Sequence, residues 1–363
     1  MLATEAELLE LHEHEDAFRL LESWLSERGF FAPGGEQLAA DLYLGYGLSQ
    51  GIRRRRAPPP PEPCRLPLLA CVIRQHPYLV GNEDNRSLSL RIGAWKATWG
   101  AARYEAAIER VREAIARGDV YQVNLVQHLS APFEGDMAAL ATALAPLDPL
   151  IPEPMVGEGW AVVSASPELF LARRGRRVWT MPIKGTRAAG GAADLEASEK
   201  DAAEHVMIVD LERNDLSRVC VAGSVRWPEL MAPRSLAGVE HLVSRVEGTL
   251  REDVGLAELL EATFPGGSVT GAPKIAAVDL IAELEPVGRG ASMGAIGRIH
   301  GNGDLNLALT IRTFAIADGR IHLWVGGGIV WDSDPAAEVE ESWTKARPLL
   351  DAIGTPDEVA IVR

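Results

Sequence analysis

Two pairs of carboxylates carry the clearest chemical potential in this sequence, Asp201 with Glu204 and Glu338 with Glu341, each pair three residues apart in a stretch that reads as helix. That spacing puts both members of a pair on one helix face. Two such faces brought together would form an oxygen-rich site suited to Mg2+, which takes few protein carboxylates and keeps positions for water and substrate oxygens. Spacing alone describes two solvated helix faces equally well and, by itself, favours them. Lys184 lies between Ile183 and Gly185 at the end of an expected strand. A lysine aimed into a cleft there can lose its proton and act as a nucleophile, although a plain surface lysine is the commoner outcome. Glu168, after Ser166 and Pro167, is a candidate general acid if it is desolvated.

Glycine-rich segments form a second constellation, PIKGTRAAGG at 182–191, TFPGGSVTGAPK at 263–274 and VGGGIV at 325–330. Glycines let a backbone approach a ligand closely, and successive exposed amides bind carboxylates. Taken singly, each segment is also an ordinary tight turn. TGAPK lacks the pattern of a phosphate loop, so no nucleotide site is expected.

The elements that must hold these residues begin with an expected helix from about Glu5 to Glu27, carried by Leu8, Leu9, Leu11, Phe18, Leu21 and Leu25. Arg53 to Arg56 beside PPPPEP read as a solvated linker. From Tyr104 a helix closed by Gly118 leads into a strand. Strands are expected at 160–164, 169–173, 177–181, 295–300, 306–317, 320–325 and 328–331, with helices over 197–210 and 336–353. Turns such as GNGD and ADGR point to antiparallel hairpins, so the class is α+β. Residues 1–100 form the expected N-terminal segment and 101–363 the expected catalytic region.

At 363 residues the chain is long enough for a substantial core, and 47% hydrophobic with 24% charged residues is ordinary for a globular enzyme. The net charge of -15 excludes nucleic acid as the main partner, and an anionic small substrate would need local cations, amides or a metal. The first residues are too acidic for a signal segment and no apolar run has the length of a membrane span, so a cytoplasmic location is expected. Cys64, Cys71 and Cys220 lack paired spacing and are expected to be buried, reduced thiols.

The order and content of several segments resemble the chorismate-binding enzyme family. They are YQVNL at 121–125, SPE at 166–168, PIKGT at 182–186, DAAEHVMIVDLERNDLSRV at 201–219, EHLVSRVEG at 240–248, FPGGSVTGAPK at 264–274, TIRTF at 310–314 and GGGIVWDSDPAAEVEESWTKA at 326–346. The resemblance implies two packed, mainly antiparallel sheets with outer helices, an α/β sandwich. It implies Mg2+ bridging Glu204 and Glu341 to a carboxylate of chorismate, with Asp201 and Glu338 alongside, which reverses the reading that spacing alone favours. Arg312, the backbone of Gly326, Gly327 and Gly328, and Lys345 would receive the other carboxylate, and Thr186, His241, Thr270 and Gly271 would line the pocket.

Within the family, Gln122 stands where water-adding members carry a lysine base, so addition of water is disfavoured. Lys184 stands where aminodeoxychorismate synthases carry lysine and anthranilate synthases usually carry alanine. The resemblance therefore points to amination of chorismate to 4-amino-4-deoxychorismate on the route to p-aminobenzoate and folate, with ammonia from glutamine supplied by a separate glutaminase subunit. In the covalent route it suggests, neutral Lys184 attacks the ring, Glu168 protonates the departing hydroxyl, and ammonia then displaces the lysine. Anthranilate synthase component I chemistry is the first alternative, and a non-catalytic chorismate-binding subunit the second. The run ASMG, with Ser292 and Met293, departs from the aromatic residue usual before that glycine.

Overall fold

The computed structural model describes residues 7–55, 58–73, 89–188, 199–236, 239–355 and 360–361. Its strands form two sheets. In the first, the path runs β1 (Glu7–Leu11), β3 (Leu69–Ile73), β2 (Ala39–Leu44), β15 (Ala295–His300), β16 (Leu305–Leu309), β9 (Leu169–Arg174), β10 (Arg177–Met181), β13 (Val239–Thr249) and β11 (Ile183–Ala188), with β12 (Arg226–Leu236) also on β13. The second runs β19 (Ala360–Ile361), β5 (Lys96–Ala97), β6 (Gln122–Gly135), β18 (Arg320–Ile329), β17 (Thr313–Ala317), β8 (Trp160–Ser164) and β7 (Met155–Gly157). Short strands β4 (Leu90–Ile92) and β14 (Gly271–Ala272) pair with β6 as well. Every pairing is antiparallel except β19 with β5, so the α+β class and the mainly antiparallel sandwich are what the chain adopts.

Strand alternation builds the layers. Val162 joins the apolar layer that contains Leu42, Leu171 and Leu307 of the first sheet, whereas its neighbours Ala161 and Val163 face the other way. There they pack with α3 (Met137–Leu144) and α7 (Pro335–Ala352) through Leu140, Ala346 and Leu349. Phe314 and Leu323 are fully buried on that face, each contributing roughly 1.5–3 kcal/mol. On the first layer lie α1 (Ala17–Ser26), α2 (Ala101–Ala116), α5 (Leu256–Thr263) and α6 (Lys274–Leu284). The remaining helix, α4 (Glu199–Ser217), packs on β13 and carries the first acidic pair.

Several expectations need correction. The helix expected over 5–27 is a strand, β1, followed by the shorter α1. Leu8, Leu9 and Leu11 fit helical spacing, but pairing of Glu7–Leu11 with β3 decides the backbone, as sheet context often overrides local preference. α1 itself buries Ala17, Leu21 and Leu25 at four-residue intervals, as a helix should. With β2 and β3, β1 completes the first sheet, so residues before 100 are woven into the same layer as β15. The arginine run is solvated only in part, with Arg54 and Arg55 exposed but Arg53 docked. Arg53 lies 3.6 Å from Asp279 with a nearly buried side chain, and Arg55 pairs with Glu283, two acids one turn apart on α6. Arg56 lies outside the described residues.

The strand expected over 306–317 is two strands in different sheets. β16 belongs to the first sheet and β17 to the second, and the chain crosses between them at Thr310–Arg312, where Arg312 takes φ 50°. Conversely, the two strands expected over 320–331 are the single β18. The ADGR turn between β17 and β18 has positive φ at both Asp318 (52°) and Gly319 (70°), the hairpin geometry that its sequence predicts. All three cysteines are free and buried. No helix among the described residues is long and apolar enough to cross a membrane.

Candidate active site

The crossover at Arg312 opens one edge of β18. Its pairing with β17 ends at Leu323, opposite Phe314, while its pairing with β6 continues to Ile329. Antiparallel residues alternate between bonding one neighbour and the other. The amides of Val126 and Asn124, opposite Gly326 and Gly328, bond instead to Glu285 Oε1 and Thr270 O. Gly326 and Gly328 therefore turn their N–H groups away from β6, towards the edge that β17 has left. Lys345 Nζ occupies the same edge, donating to Gly326 O at 3.0 Å. Amides and a cation thus converge where the family resemblance places a substrate carboxylate, and Arg312 leaves the ladder beside them. A non-glycine residue in the left-handed region is held there at some energetic cost, a pattern that clusters at functional sites.

Glycine at 327 and 328 makes room for the charged groups. A Cβ on Gly328 would overlap Gln122 Nε2 and come within 2.9 Å of Glu204 Oε1. One on Gly327 would lie 3.3 Å from Lys345 Nζ, 3.4 Å from Glu338 Oε2 and 3.6 Å from Glu341 Oε1. Lys184 Nζ donates to Glu204 Oε1 at 2.6 Å, and Gln122 Nε2 donates to the same oxygen at 2.9 Å. Lys345 Nζ pairs with Glu341 Oε1 at 2.7 Å, and Ser333 donates to Glu338 Oε1 at 2.7 Å. Glu341 is among the charges acting on Lys184, and Lys345 among those acting on Glu204, so the two halves share one electrostatic environment.

Burial works against the charge on Lys184, but Glu204 outweighs it and lifts the ammonium above the usual lysine range. Burial likewise opposes the charge on Glu204, and Lys184 reverses the effect, holding that carboxylate below its ordinary value. In this arrangement Lys184 is a cation. Its aim comes from a bulge. Between Lys184 and Arg187, β11 gains one residue relative to β13, and Gly185 supplies the positive φ of 67°. Opposite the bulge, His241 Nδ1 lies 2.8 Å from Gly185 O. A carbonyl only accepts, so Nδ1 carries hydrogen and Nε2 is left as an acceptor on the neutral ring, which burial favours by lowering the histidine's pKa.

Glu168 closes the other side. It is almost fully buried, and its Oε1 accepts from Ser268 Oγ at 2.8 Å and from the Ile183 amide at 3.4 Å. Burial raises its pKa, with Ser268 and Lys184 pulling the other way. Thr270 is buried and accepts from Tyr46 OH at 3.4 Å, so residues before 100 also reach the site. Gly271 adopts φ 129°, and a side chain there would strike the backbone of Gln122. Thr186 and Asp201 have side chains outside the described residues.

Buried polar atoms without a protein partner call for an explanation, a bound ligand or water among them. Among the described residues these include Gln122 Oε1, Asn124 Oδ1, His241 Nε2 and Thr310 Oγ1. Gln122 shares Glu204 with Lys184, Asn124 stands opposite Gly328, and Thr310 opens the crossover to Arg312. Over residues 72–351 the sequence matches the family described as chorismate binding enzyme. The chain belongs to that family. It is 38% identical over 316 residues to anthranilate synthase component 1 of Streptomyces coelicolor, covering 84% of this chain and 59% of the relative. It is 40% identical over 266 residues to aminodeoxychorismate synthase component 1 of Escherichia coli, covering 70% of this chain and 58% of that one. The chain thus spans under two thirds of these relatives' length. The fold is shared with a crystal structure of anthranilate synthase component I from Streptococcus pneumoniae, at a TM-score of 0.82, 24% identity, and coverage of 96% and 93%.

In this chorismate-binding enzyme no three His, Cys, Asp or Glu side chains among the described residues are gathered into a metal-holding group. Lys184 and Lys345 sit on the carboxylate oxygens that a divalent cation would take. The donors themselves, Glu204 and Glu341 with Glu338 beside Glu341, are the hard oxygens that Mg2+ prefers, and the Gly327–Gly328 step leaves space between them. Ser268 was not singled out from the sequence, although it stands inside the quoted glycine-rich segment. Asn124 and Thr310 likewise sit within quoted motifs, but nothing local marks their side chains as buried and unpartnered.

Proposed function

We propose that this chain aminates chorismate at the carbon bearing the ring hydroxyl, giving 4-amino-4-deoxychorismate, with ammonia released from glutamine by a separate glutaminase subunit. The observation that carries this reading is Lys184. Its ammonium is buried beside Glu204, and Glu168, whose carboxyl burial pushes above its ordinary pKa, stands within its field. Such a pair is suited to covalent substitution. The amine attacks the ring, Glu168 gives its proton to the departing hydroxyl oxygen, and ammonia then displaces the lysine. Gln122 lacks the basicity to activate water in its place.

Lys184 must be neutral to attack, and Glu204 holds it charged. Mg2+ bound by Glu204 and Glu341 would fix a substrate carboxylate and draw negative charge away from Lys184. Arg312, the Gly326 and Gly328 amides and Lys345 would orient the second carboxylate, and His241 Nε2 would accept a hydrogen bond from a ring substituent.

A second reading is amination at the neighbouring position with loss of pyruvate, as an anthranilate synthase component I. It is favoured by a matched stretch of 316 residues shared with a relative of that name. Incubation of the pure protein with chorismate, Mg2+ and ammonium, followed by mass identification of products, decides between them. Fluorescent anthranilate formed without an added lyase would replace the first reading with the second.

A further inference from the structure

The edge of β6 that faces away from β18 pairs with β14 at Gln122–Val123 and with β5 at Leu129–Ser130. Between those two strands an ion pair stands where a backbone partner would. Glu285, at the C-terminal end of α6, accepts the Val126 amide at 3.0 Å. Arg289 donates to Asn124 O at 2.7 Å and clasps Glu285 through Nε at 2.9 Å and Nη2 at 2.7 Å. Both side chains are buried. The remaining nitrogen, Nη1, donates to Val269 O at 3.0 Å, and the guanidinium carbon lies 4.5 Å over the ring of Tyr46, whose hydroxyl reaches Thr270. The segment around Arg289 is fixed in turn. The Gly288 amide donates to Pro61 O at 2.8 Å and the Gly290 amide to Glu62 Oε2 at 2.9 Å, so the proline-rich run braces it.

One guanidinium therefore joins two parts of the site. Asn124 stands opposite Gly328, on the strand pair that presents the glycine amides. Val269 follows Ser268, whose hydroxyl holds Glu168 Oε1 at 2.8 Å. Stability alone does not call for a charge here, since apolar residues of similar volume often replace a buried ion pair without loss. Apolar side chains cannot hold two carbonyls at set angles, and lysine, a single ammonium without a planar fork, does so poorly. We infer that Arg289 is a positioning residue for the acid step, fixing the turn that carries Ser268, and through it the Glu168 carboxyl, against the β6–β18 pair. This rests on the amination reading above, in which Glu168 protonates the departing oxygen.

A double-mutant cycle on kcat tests the role, with Arg289→Lys, Ser268→Ala and the two combined, assayed with chorismate, Mg2+ and ammonium. Each single substitution should lower kcat at least ~10-fold while KM for chorismate stays within ~3-fold, because Arg312, Lys345 and the β6–β18 ladder keep their own contacts. The combined variant should lie within about twofold of the slower single variant, because a residue acting through Ser268 has nothing further to remove once that hydroxyl is gone. Losses that multiply, or a wild-type kcat in Arg289→Lys, mean a merely structural guanidinium and overturn the role. Should Arg289→Lys not fold, Glu285→Gln combined with Arg289→Met leaves neither charge of the pair, keeps an acceptor for the Val126 amide and enters the same cycle. If neither folds, the pair is a folding element and the role is overturned. Anthranilate as the wild-type product replaces the functional reading but leaves the cycle decisive, since that product has also lost the ring hydroxyl. No product from the wild type ends both.

Discussion

Lys184 Nζ and Glu204 Oε1 lie 2.6 Å apart, so the amine proposed as nucleophile is held as a cation by the same carboxylate proposed to hold a metal. On the proposed route, attack by the lysine and capture of a divalent ion would be linked, because both would draw on that one oxygen.

Removing the amine should abolish substitution without removing the anion site. Lys184→Ala is expected to lower amination of chorismate by at least ~100-fold with ammonium as the nitrogen source. Calorimetry should still detect chorismate, since Arg312, Lys345 and the glycine amides are untouched. Wild-type rates in the variant would eliminate the covalent route.

Glu204→Gln strips the buried ammonium of its counterion. Both side chains are only about one seventh exposed, at 13% and 15%, so the lost pair should cost about 3 kcal/mol in urea unfolding. The double variant Lys184→Met with Glu204→Gln should recover part of that loss, because no uncompensated charge remains.

Gly328→Ala tests the space between the charged groups. Its methyl group would displace Gln122 Nε2 and press on Glu204 Oε1 at 2.9 Å. Overpacking of this kind costs about 1–3 kcal/mol, and chorismate affinity should fall at least ~10-fold. Equal affinity in the variant would show that the ligand does not use this side of β18.

His128 and His322 predict how the fold responds to acid. Their rings stack 5.2 Å apart beside Trp324, and burial, with a neighbouring positive charge, lowers them to about 3 and about 4. Each folded value lies below the unfolded one, near 6.5, so their contribution is present above that pH and is lost as pH falls through about 4. Melting temperature should decline across that window. In His322→Gln the decline should be shallower by about one proton's worth; an identical slope would mean that other groups set the acid response.

Much of the site was legible because its residues sit in motifs whose backbone demands are local. Gly185, Gly271 and Gly328 each answer a bulge, a positive φ or a close approach that a side chain would disturb. Hairpin turns were legible for the same reason. What local sequence could not reveal was decided by partners far away along the chain. Glu7–Leu11 reads as helix and becomes strand because β3 pairs with it, and Arg53 finds Asp279 on α6. The helix carrying Glu204 runs to Ser217, past the expected end at 210, and so brings Asp215 to its ion pair with Lys274. Nothing between Leu305 and Ala317 announces a change of sheet, since the break is set by Arg312 taking a conformation that arginine seldom adopts.

That break has a mechanical consequence. β16 and β17 are rooted in opposite layers of the sandwich, yet only Thr310, Ile311 and Arg312 join them. Sliding of one layer over the other would be felt at those three residues, which also stand beside the proposed anion site. A tether of three residues has little slack, so on the proposed function the grip on a substrate dianion would be coupled to the alignment of the two layers.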